Sequence, residues 1–362
     1  MALTTFQHQA LTKLRSSGAS DLGVGLDNSR LNYLLALISL DLHCPQEFPE
    51  LDPHSVPGLY ERVASQRLRV DGPKFQPLYE RLLALEPNGD NYLYCLGSLL
   101  KARLKYEKIL KAQPMPTLEQ VGPRSLLQFG HLESRALAAF LFWRKWIYDI
   151  DNRAGQETGY LFEPIVAQAI GGVPYGARNS PVRRDGTGKG RQVDCIRDEG
   201  DERRAYELKL RVTIAASGQG RWQEELSFPE DCQKSGFVPV LVVFDDTEND
   251  KLTELRKRFE NAGGKAYVGT EAWTHLDEQA GPVMSRFLDN YVRAPLNTLL
   301  EAEPEHLPRI TFALREGKLV VEVAGDTLEV VRENETDPDL SDAAGEQADL
   351  LPDDVDQQTP GP

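Results

Sequence analysis

The sequence has little of what would place it in several common classes. Only four cysteines occur in 362 residues, at positions 44, 95, 195 and 232, and none are spaced as a zinc finger or a disulfide framework. The six histidines, at 8, 43, 54, 131, 275 and 306, are scattered. None has zinc spacing, and none is paired in sequence with a nearby nucleophile. No run reaches the roughly 18 apolar residues that a membrane helix needs. The strongest apolar run, ALAAFLFW from Ala136 to Trp143, is followed by Arg144 and Lys145 and reads as a buried helix. No basic-then-apolar segment opens the sequence, so the expectation is a cytoplasmic protein without a membrane partner. GTGKG, Gly186 to Gly190, lacks the G-x-x-x-x-G-K-[ST] frame of a nucleotide phosphate loop. Positive charge is also in deficit, with 41 Lys and Arg against 56 Asp and Glu and a net charge of −15. Taken alone, that balance argues against a nucleic-acid partner. Ten of the acids, however, lie between Glu333 and Pro362, a stretch without Lys or Arg, which leaves −5 for the remainder. A mildly acidic body with a local basic patch still binds DNA, because the field at the groove outweighs the total.

What is present is an ordinary globular composition, 40% hydrophobic and 27% charged, in a chain long enough for a large core. Residues 1–155 read as helical. LNYLLALISLDL from Leu31, FQPLYERLLAL from Phe75, the run from Asn91 to Ala112 and SRALAAFLFWRKWIYDI from Ser134 carry three-four apolar spacing. This region is either scaffold or a dimerisation or DNA-wrapping element. Trp143 and Trp146 read as packing residues, and Trp273 is ambiguous. Residues 156–300 alternate between types. A helix over Tyr160–Ile170 is stopped by Gly171 and Gly172, and a Gly- and Pro-rich basic loop runs to Gly190. Two short strands, QVDCI and AYELKLRV, then a loop with a short helix, precede FVPVLVVFDD, a strand apolar on both faces. An amphipathic helix from Asn249, the strand KAYVG and a helix with Thr270 as its cap complete an α/β layer. Residues 301–332 read as short β-strands turning at Glu316-Gly317 and Gly325-Asp326. Residues 333–362 are acidic and read as disordered.

The chemistry concentrates in RQVDCIRDEGDERRAYELKL, Arg191 to Leu210. Strand periodicity puts Glu207 and Lys209 on one side and Leu208 on the other. Asp194 on the preceding strand faces them, while Cys195 points to the opposite face as core. Cutting a phosphodiester requires a divalent cation to offset charge on the phosphate, a deprotonated water and a stabilised leaving oxygen. Asp194 and Glu207 supply hard oxygen ligands suited to Mg²⁺, with the Leu208 carbonyl as a third. Lys209 orients or activates the water. Whether it is itself the base is open, since burial lowers its pKa and two carboxylates raise it.

This pattern resembles the PD-(D/E)xK nuclease superfamily, and within it the type II restriction endonucleases. Asp194 matches the first acid, and Glu207-Leu208-Lys209 match D/E-x-K. Glu163 matches the glutamate on the helix before the sheet. The order of elements agrees over roughly Tyr160 to Ala280, about a third of the chain. Val193 stands where the motif's proline would be. The overall form is similar to restriction enzymes of the ApaLI-like group. The resemblance implies an α/β fold with a restriction-endonuclease-like mixed sheet flanked by helices, a helical amino-terminal region and a small β carboxy-terminal element. It also implies Mg²⁺, with Mn²⁺ as substitute, and hydrolysis of double-stranded DNA at a short palindromic site to leave 5′-phosphate ends. Further implications are a homodimer, a cognate DNA methyltransferase that protects the host, and a prokaryotic cytoplasm.

For DNA contacts the candidate set is Arg178, Asn179, Arg183, Arg184, Lys189 and Arg191, which can read base edges or hold phosphates. Arg203 and Arg204 lie in the turn between the motif strands, away from the metal. Gln219, Arg221, Gln223 and Glu224 follow them, with Gln223 or Glu224 placed to reach the site from a following helix or to lie on the surface. Two other readings compete: a repair or structure-specific nuclease on the same core, and a non-catalytic DNA-binding protein.

Overall fold

The computed structural model describes residues 4–18, 22–158, 161–209 and 219–332. The amino-terminal region is helical, as its periodicity requires: α1 (Thr5–Arg15), α2 (Asn28–Asp41), α3 (Phe75–Leu85), α4 (Gly89–Ala112), α5 (Leu118–Ser125) and α6 (Ser134–Thr158). Helix α1 starts at a capping box in which Thr4 and Gln7 satisfy each other's backbone N–H. Helix α2 is apolar around most of its circumference, and every residue from Leu31 to Ser39 is buried. The short α5 goes beyond the sequence reading, because eight residues with an internal Pro123 carry little periodic signal.

The next elements are α7 (Phe162–Ala169), β1 (Val173–Tyr175), β2 (Val193–Glu199), β3 (Glu202–Lys209), α8 (Gln219–Lys234), β4 (Val238–Val243), α9 (Asp250–Asn261), β5 (Lys265–Val268) and α10 (Thr270–Leu288). They build a mixed sheet in the order β1-β2-β3-β4-β5. β1 and β2 run antiparallel, as do β2 and β3, while β3, β4 and β5 are parallel. β1 falls in the stretch expected to be loop and forms the edge of the sheet. Gly171, in the left-handed region at φ 73°, ends α7 as expected. Gly269 rather than Thr270 caps α10, and Thr270 is its first helical residue.

The apolar run of β4 is buried on both faces. Val240 and Val242 join a core with α2, α4, α7 and α10, whereas Leu241 and Val243 pack with Leu226 and Phe228 of α8 and with Leu252 and Phe259 of α9. The first of these cores runs unbroken from Leu34 and Tyr92 through Val166 to Tyr206, Leu208 and Leu276. The expected boundary at 155 falls inside helix α6, and this core contains residues from both sides of it.

After α11 (Ala294–Leu300) the chain forms an antiparallel three-stranded meander, β6 (Ile310–Arg315), β7 (Lys318–Val323) and β8 (Asp326–Val331). Its first turn is Glu316-Gly317, both at positive φ, as a two-residue hairpin favours. The second is Ala324-Gly325, one residue earlier than expected, because Asp326 already pairs with Val323. This sheet docks on α4 and α6. The Phe312 ring stacks on Trp143 at 5.4 Å, and Trp146, Ile150 and Ile109 bury against Leu319 and Val330. Both tryptophans are packing residues. Among the described residues, no helix is long and apolar enough to cross a membrane. The expected disorder of 333–362 lies outside the described residues.

One histidine is built into the core. His275 of α10 is 3% exposed, stacks on the Tyr267 ring at 3.9 Å and lies 3.2 Å from the Tyr206 hydroxyl. Burial, helped by the charges of Arg204, Lys265 and Arg197, pushes its pKa down to about 4. The unfolded chain binds this proton near pH 6.5, the folded one near 4. Stability is thus complete above pH 6.5 and is lost progressively as pH falls towards 4, by on the order of 3 kcal/mol. Thermal melts across that window should show a steeper loss of Tm for the wild-type chain than for His275→Phe. Parallel curves would mean that other groups govern the acid limb.

Candidate active site

Strands β2 and β3 pair with Cys195 opposite Tyr206 and continue to Glu199 opposite Glu202. One step beyond the first pair, Asp194 comes opposite Glu207, and Lys209 follows on the same face two residues later. Ile196 and Ala205, which share this face, pack under α8 and α9, whereas Cys195, Tyr206 and Leu208 pack into the other core. The period-two reading of the motif therefore holds in the folded sheet. Asp194 turns towards β3, where its Oδ2 accepts the Leu208 N–H at 2.9 Å. In an extended strand the N–H and C=O of one residue point to the same side. The Lys209 carbonyl points the opposite way, accepting from Phe244 beside β4. The Leu208 carbonyl accordingly faces the side where Asp194 lies.

Four side chains surround this point. Lys209 Nζ donates to Glu207 Oε1 at 3.1 Å and pairs with Glu225 Oε1 of α8 at 3.4 Å. Glu163, in the first turn of α7, adds a carboxyl close enough to feel the charges of Glu207 and Lys209. Burial raises Asp194 well above the usual carboxylate range; the Glu207 charge adds to this, and the Leu208 N–H partly offsets it. Burial likewise raises Glu163, with Glu207 again adding to the shift. For Lys209 burial works downward, but Glu207 and Glu225, with Asp194 behind them, outweigh it and hold the ammonium protonated. The question left open by the sequence thus has an electrostatic answer: at neutral pH Lys209 is a cation and donates hydrogen bonds.

Glu225 is the acid that the sequence reading missed. It placed the neighbouring Gln223 and Glu224 either at the site or on the surface, and they lie on the surface. Glu224 turns outward and pairs with Arg184 at 2.7 Å, and Gln223 is exposed. The side chains of Gln219 and Arg221 lie outside the described residues. The signal that could have found Glu225 is helical phase. Phe228 and Cys232, three and seven residues after Glu225 and so on its side of the helix, are buried in the core.

The basic loop is a small hairpin. Arg183 bridges Gly190, Arg184 N–H donates to the Lys189 carbonyl at 2.8 Å, and Arg191 N–H donates to Val182 at 2.9 Å. GTGKG forms its turn, with Gly186 and Gly188 at positive φ. Gly190 passes so close to the Ala177 carbonyl that a Cβ would lie 1.8 Å from it. The hairpin is pinned to α8, with Arg183 N–H donating to Ser235 Oγ and Asp185 N–H to Asp231 Oδ1. Arg178, Asn179, Arg183 and Lys189 are exposed, and Arg184 is held by Glu224. Arg191 departs from its expected surface role. It is buried, paired with buried Asp231, hydrogen-bonded to Ser227 Oγ at 3.1 Å and to the Glu224 carbonyl, and laid over the Phe228 ring. A guanidinium committed to four partners inside the protein is not free for a base edge. Arg203 and Arg204 lie at the far end of the motif hairpin, the latter paired with Glu199 and Glu202, away from Asp194 as expected. Trp273 packs its ring 4.7 Å from Phe244 and belongs to the core.

The donor set fits a hard divalent cation. The Asp194 carboxyl, raised by burial and by the Glu207 charge and lying beside a backbone carbonyl, is relieved by positive charge. Among the described residues no three His, Cys, Asp or Glu side chains form a ready-made cage. Mg²⁺ commonly takes only one or two protein carboxylates and keeps several waters.

The model of the ApaLI-like restriction endonuclease family matches residues 59–293. The chain is 44% identical over 316 residues to the type II restriction enzyme ApaLI of Acetobacter pasteurianus, an alignment covering 83% of this chain and 84% of that one. No solved structure matches. The match takes in the motif strands, the helices that carry Glu163 and Glu225, and the helical region from α3 onward, and by it the chain belongs to the ApaLI-like restriction endonuclease family.

Proposed function

We propose that this chain is a type II restriction endonuclease that hydrolyses both strands of duplex DNA at a short palindromic sequence. The observation that supports this best is the in-register pair of Asp194 and Glu207 with Lys209 clasped beside them. In this reading Asp194, Glu207 and the Leu208 carbonyl hold Mg²⁺, with Mn²⁺ as a working substitute. The cation supplies Lewis acidity, offsetting charge on the phosphate and making a bound water more acidic.

The chain's own residues do the remaining work. The Leu208 N–H fixes the Asp194 carboxylate so that its second oxygen is presented to the site. Lys209, protonated and held from two sides, donates to the attacking water and to a phosphate oxygen, orienting the first and stabilising charge on the second. Glu163 completes the acid set on the side of the attacking water. Water oxygen bonds to phosphorus as its proton passes to the Glu163 carboxylate, the P–O3′ bond breaks, and the 3′ oxygen leaves and takes up a proton from solvent. The ends are 5′-phosphate and 3′-hydroxyl. Arg178, Asn179, Arg183, Arg184 and Lys189 form the DNA-facing set of the hairpin and its approach. A homodimer matches the two-fold symmetry of a palindrome. A methyltransferase acting on the same site protects the host DNA, in the cytoplasm of a prokaryotic cell.

Incubation with a sequenced plasmid and Mg²⁺, followed by end mapping, should give discrete fragments sharing one consensus. A smear, or no cleavage with either Mg²⁺ or Mn²⁺, overturns the reading. Asp194→Asn and Lys209→Met should each lower the cleavage rate by about a thousandfold or more while DNA retention in a gel is kept. Glu225→Gln should lower kcat by about 10- to 100-fold, leaving KM and Tm close to wild type, with partial recovery in Glu225→Asp. At the hairpin two kinds of arginine should separate. Arg183→Ala and Lys189→Ala should weaken DNA binding and flatten its salt dependence by about one unit of slope each. Arg191→Ala should instead cost about 3–5 kcal/mol of stability in denaturant titration, because Asp231 is left buried and unpaired.

A further inference from the structure

We propose that the exposed apolar face of the α5–α6 helical hairpin binds a second copy of this chain about a two-fold axis, an inference that rests on the reading of the protein as an enzyme cutting both DNA strands. Helices α5 and α6 meet over a core of only Val121, Leu137 and Leu141. An eight-residue helix with an internal proline has little stability of its own, and three side chains do not offset that. Around this small core the apolar side chains turn outward. Leu118, Leu126, Leu127, Phe129, Leu132 and Phe140 are 47–89% exposed. On α6, Ile147 and Tyr148 extend the same surface at 39% and 60%.

Together these side chains offer on the order of 800 Å² of apolar surface, more than a monomer usually leaves to water and about the share each partner buries in a stable interface. DNA is a poor occupant, since its affinity comes from phosphate charge and this face is apolar. A second copy fits for two reasons. One chain carries one acid–acid–lysine site, and cutting a duplex needs two. The exposed stripe of α6 is also self-complementary in charge: Phe140, Arg144, Ile147, Tyr148 and Asp151 share it at three-four spacing, with Arg144 and Asp151 both exposed. An antiparallel second α6 crossing at Ile147–Tyr148 sets Arg144 against the partner's Asp151 twice, with apolar side chains between the pairs. Two hairpins so joined form a four-helix contact of the isologous kind. Helix α6 leads within a few residues to α7 and Glu163, so the contact would fix the spacing of the two active sites.

Sedimentation equilibrium of the full chain, with and without DNA, should find a dimer. Leu127→Glu combined with Phe140→Glu should raise its dissociation constant by about a hundredfold or more, with an unchanged circular dichroism spectrum. Plasmid digestion by that variant should accumulate nicked circles. Tyr148→Cys, in a chain whose own cysteines are buried or half-buried, should cross-link to a covalent dimer under mild oxidation, and this arm decides the matter if the double variant loses its spectrum. A wild-type chain that stays monomeric on DNA overturns the proposal. So does a dimer that the double variant leaves intact or that Tyr148→Cys fails to cross-link. Cleavage by the wild-type chain is scored separately, so failure of the interface and failure of the endonuclease reading give different results.

Discussion

Everything at the candidate site depends on the register of β2 against β3. With Cys195 opposite Tyr206, Asp194 comes opposite Glu207 on the face that looks towards α8. A slip of one residue would put Asp194 into the apolar core and Cys195 into the acid cluster. The register is guarded on the far side, where Cys195, Tyr206 and Leu208 are packed without room to exchange faces. At Gly172 an added Cβ would come within 2.0 Å of the Cys195 sulfur. The site's precision is thus set by the apolar face that takes no part in the chemistry.

The second constraint is the charge balance around Lys209. A lysine in a partly buried position tends to lose its proton, and here two carboxylates from different elements prevent that. One, Glu207, lies on its own strand and is also a ligand of the cation in the proposed mechanism. The other, Glu225, comes from α8 and is free of that demand. A cation held at Glu207 would weaken that residue's hold on Lys209, and Glu225 would still pair with the ammonium. A site of two strands alone would have no such reserve.

The β-strand motif was legible in the sequence because its chemistry obeys the two-residue period, so the faces of Asp194, Glu207 and Lys209 follow from counting. The buried β4 was legible from its unbroken apolar run. Glu225 was not, because it stands 16 residues beyond Lys209 in sequence, in a helix whose phase against the sheet depends on packing. Arg191 misled for a related reason. Composition marks the 178–191 stretch as basic but does not say which way each guanidinium points, and buried Asp231, 40 residues later, turns this one inward. The missed strand β1 and helix α5 are short elements held by their neighbours, with little pattern of their own.

The hairpin of residues 182–191 and helix α8 are joined at four places: Arg183 to Ser235, Asp185 to Asp231 and Lys234, Arg184 to Glu224, and Arg191 to Asp231. Links at both ends of the helix make the two a single mechanical piece, with the outward hairpin as its handle and Glu225 near its tip. The exposed Arg183 and Lys189 on the outside and Glu225 beside Lys209 on the inside are therefore carried by one connected piece of the chain, so the outer surface and the acid cluster share a single support.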